Sequence, residues 1–141
     1  MSLQGETNTI FRLHRSTIWF LIAAVILTIA ASLVGIADNL PGIALLYSAG
    51  LALVLAVSHR WKRPDRFGFL FLAAVVGFFV MVVVHNFAEV GADRLSHLPA
   101  LALLLSAFSV VGFITAVIIC PVAGVVGVLG FVTKLDKKRA E

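Results

Sequence analysis

The sequence predicts an all-α integral membrane protein in which four helices cross the bilayer as an up-down-up-down bundle. Hydrophobic residues make up 61% of the chain and charged residues 13%, against about 45–50% and about 25% in soluble globular proteins. Long uncharged runs alternate with short polar segments, and lysine and arginine concentrate in every second polar segment. With 141 residues, residues 1–141 are expected to form a single transmembrane domain.

Four uncharged apolar runs set the predicted crossings. A helix that spans the bilayer needs about 20 residues, with a range of roughly 17–25. The first three runs, of 19, 18 and 18 residues, each fit one crossing, whereas the fourth has 36 residues. The predicted crossings are residues 17–36, 40–58, 67–90 and 98–133.

The positions of the basic residues set the number and direction of the crossings. With four crossings, Arg94 alone lies on one side, and the other ten of the 11 Lys and Arg lie on the opposite side. The positive-inside rule then places both termini in the cytoplasm. A hairpin at Cys120–Pro121 would send the basic tail across, so the fourth run is predicted to cross once. Compact loops and basic flanks favour a multi-pass protein of the cell inner (plasma) membrane.

The connections support this topology. The short segment "ADNLPG" forces the first two helices into an antiparallel pair, and Pro41 suits a helix start. Trp19 and Trp61 fall at the predicted cytoplasmic interface, where amphipathic rings prefer to lie. A cleaved signal peptide is the alternative for the first run, but its apolar core exceeds the usual 7–15 residues.

The fourth run is longer than one crossing requires. As a continuous helix it would reach roughly 54 Å, whereas the hydrocarbon core is about 30 Å thick. Either residues 98–108 lie in the interface or re-enter the bilayer before a crossing, or one long tilted helix projects outside and is covered by another chain. Both alternatives expose an apolar surface that favours association. We therefore expect partner contacts at Leu98, Leu101, Leu105 and Phe108.

Small residues follow in the same run. Gly124, Gly127 and Gly130 recur three positions apart, and small residues let helix backbones approach closely in lipid. This approach would occur either inside the bundle or between subunits. Gly124 and Gly127 are included in the predicted interaction surface.

A polar ladder precedes the fourth run. His85, Glu89, Asp93 and His97 recur at every fourth position, so that neighbours share a helix face. His85, Glu89 and Asp93 are candidate ligands of a metal ion or carriers of a proton. Two histidines could in principle bracket a haem, but nothing else in the sequence supports one, and no cofactor is expected. The competing interpretation is that a helix leaves the lipid here, since His85 lies roughly 27 Å from Phe67 along the axis.

The crossings contain almost no ionisable groups, which argues against an ion-coupled pump. Their hydroxyl groups are expected to bond across helices or to their own backbone; these belong to Tyr47, Ser48, Ser106, Ser109 and Thr115. No nucleophile and base share a predicted depth, so the protein is not expected to be an enzyme. Basic residues confined to short clusters between apolar runs exclude nucleic-acid binding and favour contact with membrane lipids.

These observations predict a small non-catalytic polytopic membrane protein that acts through association. It would be an accessory or scaffold subunit of a membrane complex, or a homo-oligomer, with membrane lipids and other subunits or its own copies as partners. The alternative is a channel or transporter for a metal ion, proton or small solute, with an outer vestibule at His85, Glu89 and Asp93.

Overall fold

The computed structural model describes residues 3–36 and 39–140, with side chains described at 15–36 and 39–137. Every regular element in these ranges is helical: α1 (Leu3–Val34), α2 (Leu40–Ser58), α3 (Pro64–Arg94), α4 (Pro99–Ile114), a π-helical turn (Thr115–Ile119) and α5 (Cys120–Ala140). Four helical segments are long and apolar enough to cross a membrane: Arg15–Val34, Leu40–Ser58, Pro64–Arg94 and Pro99–Lys137. The prediction of an all-helical chain with four such helices is confirmed.

The chain forms two compact units, Met1–Trp61 and Lys62–Glu141. We call the first unit, with α1 and α2, the first hairpin. The second unit contains α3 and the continuous helix formed by α4, the π turn and α5, and we call it the second hairpin. Each hairpin has a turn end, where its helices are joined, and an open end, where they are not.

Gly35 ends α1 in the first hairpin. Its φ of 89° is a left-handed conformation that glycine adopts without a Cβ penalty, and its N–H bonds back into the last turn of the helix. The side-chain amide of Asn39 then donates to the carbonyl of Val34 at 2.9 Å. Pro41 lies in the first turn of α2, as predicted, while Ala37 and Asp38 of the connecting segment lie outside the described residues.

The two arms of the second hairpin run antiparallel. Three contacts along α3 mark the register: Phe67 with Gly130, Gly77 with Cys120, and Gly91 with Leu105. As the chain advances along α3, its neighbour on the other arm moves back toward α4. The turn that joins the arms closes with the N–H of Leu98 donating to the carbonyl of Leu95 at 2.8 Å.

A stripe of small residues holds these arms together. The buried positions of the stripe are Ser109, Gly112, Ala116, Cys120, Ala123 and Gly127. A Cβ added to Gly127 would lie 2.8 Å from the backbone nitrogen of Phe71, so the helices meet backbone to backbone. A Cβ on Gly124 would lie 4.0 Å from that of Ala74. Both glycines of the predicted interaction surface therefore face α3 of the same chain.

The long fourth run is one uninterrupted helix with a local defect. The N–H of Cys120 bonds to the carbonyl of Thr115, five residues back, and closes the π turn. Pro121 has no N–H with which to continue the regular series of helix hydrogen bonds. A missing backbone hydrogen bond of this kind commonly accompanies a widened turn. The helix passes through Cys120–Pro121 without reversing, as predicted.

Most of the apolar helix surface is exposed. In an apolar stretch of 18 residues in each crossing segment, only 11% of positions are buried on α1 and α3, 33% on α2 and 28% on the fourth segment. A soluble protein rarely leaves so much contiguous apolar surface in water. The hairpins therefore present these side chains to lipid or to other helices.

Candidate functional site at the turn end of the second hairpin

His85 is bonded across the hairpin near its turn end, which spans residues 85–112. The Oγ of Ser109 lies 2.8 Å from Nδ1 of His85. A Cβ on Gly112 would lie 3.3 Å from the backbone nitrogen of His85, so the missing side chain lets the helices approach at this level. The ring of Phe113 lies 5.3 Å from the imidazole, centroid to centroid, and covers it.

One tautomer of His85 satisfies both neighbours. If Nδ1 accepts the hydroxyl proton of Ser109, the Nε2–H faces Oε2 of Glu89 at 3.5 Å. The second contact of Nδ1, with the Ser109 carbonyl at 3.1 Å, would require the opposite tautomer. That tautomer would place the bare Nε2 against a carboxylate, so the first arrangement is electrostatically favoured.

The polar ladder is only partly assembled. The side chain of Glu89 is 61% exposed and pairs with His85, whereas Asp93 and His97 are exposed near and in the turn. Within the described residues, no group of three or more His, Cys, Asp or Glu side chains is placed to hold a metal ion. The predicted three-ligand set is thus represented by a single pair.

The order hydroxyl, imidazole and carboxylate resembles that of a nucleophilic triad. We expected no nucleophile and base at a common depth, and Ser109 and His85 correct that expectation. Ser109 is only 7% exposed, because it is enclosed between α3 and α4, and its hydroxyl has little surface with which to meet a substrate. The geometry favours an interhelical clamp over a nucleophile.

Near the same turn end, α4 has exposed apolar side chains of its own. Among the predicted partner-contact residues, Leu98, Leu101 and Phe108 are exposed, by 40–55%. The fourth, Leu105, is half-buried, and its Cδ1 would lie 3.3 Å from a Cβ on Gly91. Leu103 and Leu104, which the sequence analysis did not single out, are exposed by 73% and 54%.

The register places this apolar surface beside the polar part of α3. Because Gly112 faces His85 and Leu105 faces Gly91, residues 103–112 lie alongside residues 85–94, and residues 98–102 belong to the turn end beyond them. The uncharged run of α3 ends at Val84 and by itself reaches roughly 27 Å, close to the thickness of the hydrocarbon core. The segment 98–112 is therefore apolar chain in excess of one crossing.

A second polar contact joins the arms of the first hairpin. The Oγ of Ser16 lies 3.1 Å from Nε2 of His59, and the ring of Phe20 lies 5.3 Å from the imidazole. Nδ1 of His59 lies 2.7 Å from the carbonyl of Leu55, to which it donates. The sequence analysis missed this contact, since its partners are 43 residues apart.

Several hydroxyls in the crossings bond to their own helix. Thr28, Ser48 and Thr115 each donate to the carbonyl four residues back, at 2.7–2.8 Å. Ser32 does the same at 3.0 Å. Among the hydroxyls named in the sequence analysis, those of Ser48 and Thr115 therefore bond to their own helix, and that of Ser109 bonds across helices.

Comparison with models of protein families, with curated proteins and with solved structures finds no match to this chain.

Proposed function

We propose that this chain is a non-catalytic multi-pass protein of the cell inner (plasma) membrane that acts by association. It would cross four times as an up-down-up-down bundle with both termini in the cytoplasm. Its partner is another membrane subunit, for which it serves as an accessory or scaffold, or further copies of itself. Membrane lipids surround the remaining apolar surface.

One observation carries the proposal: an exposed apolar segment of α4 lies beside the polar part of α3. If residues 67–84 occupy the hydrocarbon core, residues 98–112 extend roughly 20 Å beyond it at 1.5 Å per residue. Exposed leucines and phenylalanine in that position would meet water or headgroups, which is unfavourable by about 25 cal/mol per Å² of apolar surface. A partner subunit that covers them removes this cost.

The hydrogen bond between the arms of the second hairpin also supports association. His85 and Ser109 tie the turn end of α3 to α4, so the apolar segment is held as a rigid extension of the crossing. A preorganised helical surface loses little conformational entropy when a partner binds. Leu104 and Phe108, one turn apart and both more than half exposed, form the centre of the proposed contact.

The experiment that tests the proposal is native mass spectrometry after extraction into polymer nanodiscs, which keep the protein with its neighbouring lipid and partners. We expect a stable assembly larger than one chain. The double variant Leu104→Gln, Phe108→Gln should dissociate it without unfolding the hairpin, because both side chains are exposed.

The matched control is Phe87→Gln, which removes an exposed aromatic side chain from α3 at a similar level (77% exposed). This variant should leave the assembly intact. A monomer in the parent protein would overturn the proposal. Equal dissociation by Phe87→Gln and by the α4 double variant would remove the assignment to α4.

The orientation can be tested separately. Reporter fusions that are active on only one side of the membrane should place residue 141 on the cytoplasmic side and the connection at 95–98 on the other. The support is the placement of ten of the 11 basic residues in alternate polar segments. A reporter signal from the opposite side at either position would refute the topology.

The His85–Glu89 pair favours a second candidate function, a channel or transporter for a metal ion, proton or small solute. These groups would line an outer vestibule with Asp93, which lies one turn further along α3. Against this candidate, the hydroxyls of Thr28, Ser48 and Thr115 are directed to their own backbone and so provide no polar path through the crossings.

Flux into proteoliposomes tests the second candidate. If the chain conducts, the double variant His85→Ala, Glu89→Ala should reduce the flux of the conducted ion. Ser109→Ala serves as the control, since it disturbs the clamp but leaves the imidazole and carboxylate. No flux in the parent protein, or unchanged flux in the double variant, would eliminate this candidate.

A further inference from the structure

The open end of the second hairpin gathers positive charge from both of its arms. Because the ring of Phe67 packs over Gly130, the residues that precede Phe67 lie beside those that follow Gly130. Arg66 immediately precedes this contact on α3, while Lys134 and Lys137 follow it on α5 by roughly 6 and 10 Å along the helix axis. Three cations from distant parts of the sequence therefore lie close to one level.

The two lysines lie on faces of α5 that are turned toward α3. Lys134 follows Gly127, and Lys137 follows Gly130, by seven residues, which is close to two full turns of helix. Both glycines contact α3 directly, so the lysines continue the same line of contact toward the open end. Lys134 is accordingly half-buried, whereas Lys137, nearly one turn further along, is exposed.

Arg66 lies on a face of α3 that is turned toward the other arm. It precedes Gly77 by eleven residues, which is close to three full turns, and a Cβ on Gly77 would lie 3.5 Å from Sγ of Cys120. The side chain of Arg66 is exposed, so its guanidinium is accessible at the edge of the contact between the arms. All three cations thus border the line along which α3 and α5 meet.

The acidic side chains described at this end lie on other faces. Asp65 precedes Phe69 by four residues and shares its outward face, where Phe69 is 70% exposed. Oδ2 of Asp65 also pairs with the guanidinium of Arg63 at 2.9 Å. Asp136 follows Leu129, which is 61% exposed, by seven residues and so lies on an outward face as well. Neither carboxylate is placed to neutralise the cations between the arms.

These cations have no counter-charge within the part of the chain whose side chains are described. Among those side chains, Arg66, Lys134 and Lys137 form no ion pair. Like charges within about 8 Å, the Debye length at physiological ionic strength, repel one another, and an anion bound between them removes this repulsion. A phosphate group suits the set, because a guanidinium binds two of its oxygens in parallel and an ammonium adds a point charge.

The surface beside the cations selects the source of the phosphate. The uncharged runs of both arms end at this level, at Phe67 and Thr133, and Phe131 and Val132 are 37% and 48% exposed. When the second hairpin crosses a bilayer, these apolar side chains enter the hydrocarbon core and the cations lie in the adjoining headgroup layer. A phospholipid offers a phosphate to the cations and acyl chains to the apolar side chains, whereas a soluble phosphate compound offers only the first.

We infer that the open end of the second hairpin binds the headgroup of an anionic phospholipid, with its phosphate between Arg66 and Lys134. A headgroup with net negative charge is favoured over a zwitterionic one, because the described carboxylates lie on other faces and cannot receive the positive group of a zwitterion. Lysine and arginine beside the membrane attract anionic lipids in general. Here the pairing of the two arms concentrates that attraction at one place.

The inference rests on the placement of the second hairpin in a bilayer, and association with other subunits is not required for it. A monomer that binds the anionic lipid would therefore refute the proposed function and leave this site intact. An oligomer that does not distinguish anionic from zwitterionic lipid would do the reverse.

The test titrates the full chain, in a neutral detergent, with phosphatidylglycerol and separately with phosphatidylcholine of the same acyl chains. Native mass spectrometry counts the bound lipid and gives the Kd for each. Phosphatidylglycerol should bind more tightly, by about tenfold or more, and Arg66→Gln and Lys134→Gln should each weaken its binding about fivefold. Equal affinity for the two lipids in the parent protein would overturn the inference.

Arg63→Gln is the matched control, since it removes the same charge from the same end of the hairpin but from a side chain that already pairs with Asp65. It should change the Kd by less than about twofold, whereas a diffuse attraction to the net charge would respond equally to all three variants. Circular dichroism verifies that the variants remain helical, and Arg66→Gln, at an exposed position, decides the matter if Lys134→Gln does not fold. An equal loss in the control, or equal affinity for soluble glycerophosphate and for phosphatidylglycerol, would also overturn the inference.

Discussion

The two hairpins use the same pair of residue types in different places. In the first hairpin, His59 and Ser16 join the arms at the open end. In the second, His85 and Ser109 join them close to the turn end. The open end of the second hairpin is instead closed by the ring of Phe67 packed over Gly130.

The difference follows from the lengths of the uncharged apolar runs. Those of the first hairpin have 19 and 18 residues, whereas those of the second have 18 and 36 residues. A short hairpin is held at its turn by the chain itself, so a polar contact adds most at the free end. A long hairpin has surplus length beyond the crossing, and the His85–Ser109 bond lies where that surplus begins.

The hydrogen-bond roles of the two histidines also differ. His59 donates from Nδ1 to the carbonyl of Leu55, which leaves Nε2 to accept from Ser16. In the electrostatically favoured tautomer, His85 accepts from Ser109 at Nδ1 and directs Nε2–H to Glu89. The first imidazole is thus tied to its own helix end, while the second extends the contact toward the surface.

The largest expected effect is at the backbone contact of the second hairpin. Gly127→Val should separate α5 from α3, because even the first carbon of the new side chain would lie 2.8 Å from the backbone nitrogen of Phe71. We expect a loss of stability of about 1–3 kcal/mol or more, measured as a lower unfolding midpoint in nanodiscs. Val128→Leu, at the neighbouring exposed position, is the control, and equal midpoints for the two variants would contradict the packing.

The next effect is the coupling between His85 and Ser109. A double-mutant cycle with His85→Ala and Ser109→Ala should give about 1–2 kcal/mol, near the upper end for interhelical bonds in membranes. The bond is short, at 2.8 Å, and Ser109 is buried. A coupling of zero would show that the contact does not stabilise the hairpin.

The corresponding coupling in the first hairpin should be smaller. A cycle with His59→Ala and Ser16→Ala is expected to give about 0.5–1 kcal/mol. The bond is longer, at 3.1 Å, and Nε2 of His59 retains Arg60 as a second donor at 3.3 Å. If this coupling equals or exceeds that of His85 and Ser109, the proposed difference between the hairpins fails.

The smallest effect is expected at Glu89. Glu89→Gln keeps a hydrogen-bond acceptor for Nε2 of His85 and removes the charge. Because the carboxylate is 61% exposed, solvent screening limits the change in stability to about 0.5 kcal/mol or less. A loss above 1 kcal/mol in the same unfolding assay would show that the exposed His85–Glu89 pair contributes more to stability than solvent screening allows.

The sequence was sufficient to predict the helices but not the contacts between them. Run lengths and charge positions predicted four long apolar helices and the uninterrupted passage of the fourth run through Pro121, and the proline pattern predicted that Pro41 lies at the start of a helix. Helix existence depends on local periodicity and composition, which a single sequence contains. The prediction for residues 17–36 extended past Val34, because the left-handed conformation of Gly35 ends α1 there.

The candidate site was predicted in part. Four-residue spacing identified His85 and Glu89, which do pair, but the partner of His85 on α4 depends on the register of the hairpin. Ser109 lies 24 residues from His85 along the chain, and no local pattern fixes that pairing. The use of Gly124 and Gly127 within the chain also depends on register, since the same small residues would equally suit contacts between subunits.

The environment of Leu104 tests the central claim most directly. A spin label at Leu104→Cys, in a Cys120→Ala background, can be compared with one at Val128→Cys by its accessibility to oxygen and to a water-soluble nickel complex. In polymer nanodiscs drawn from the native membrane, Val128 should show access to oxygen, as a lipid-facing side chain does. We predict low access to both reagents at Leu104, because another protein surface covers it. High access to oxygen would mean that lipid covers the segment, and high access to nickel would mean that water does; either result would contradict the account.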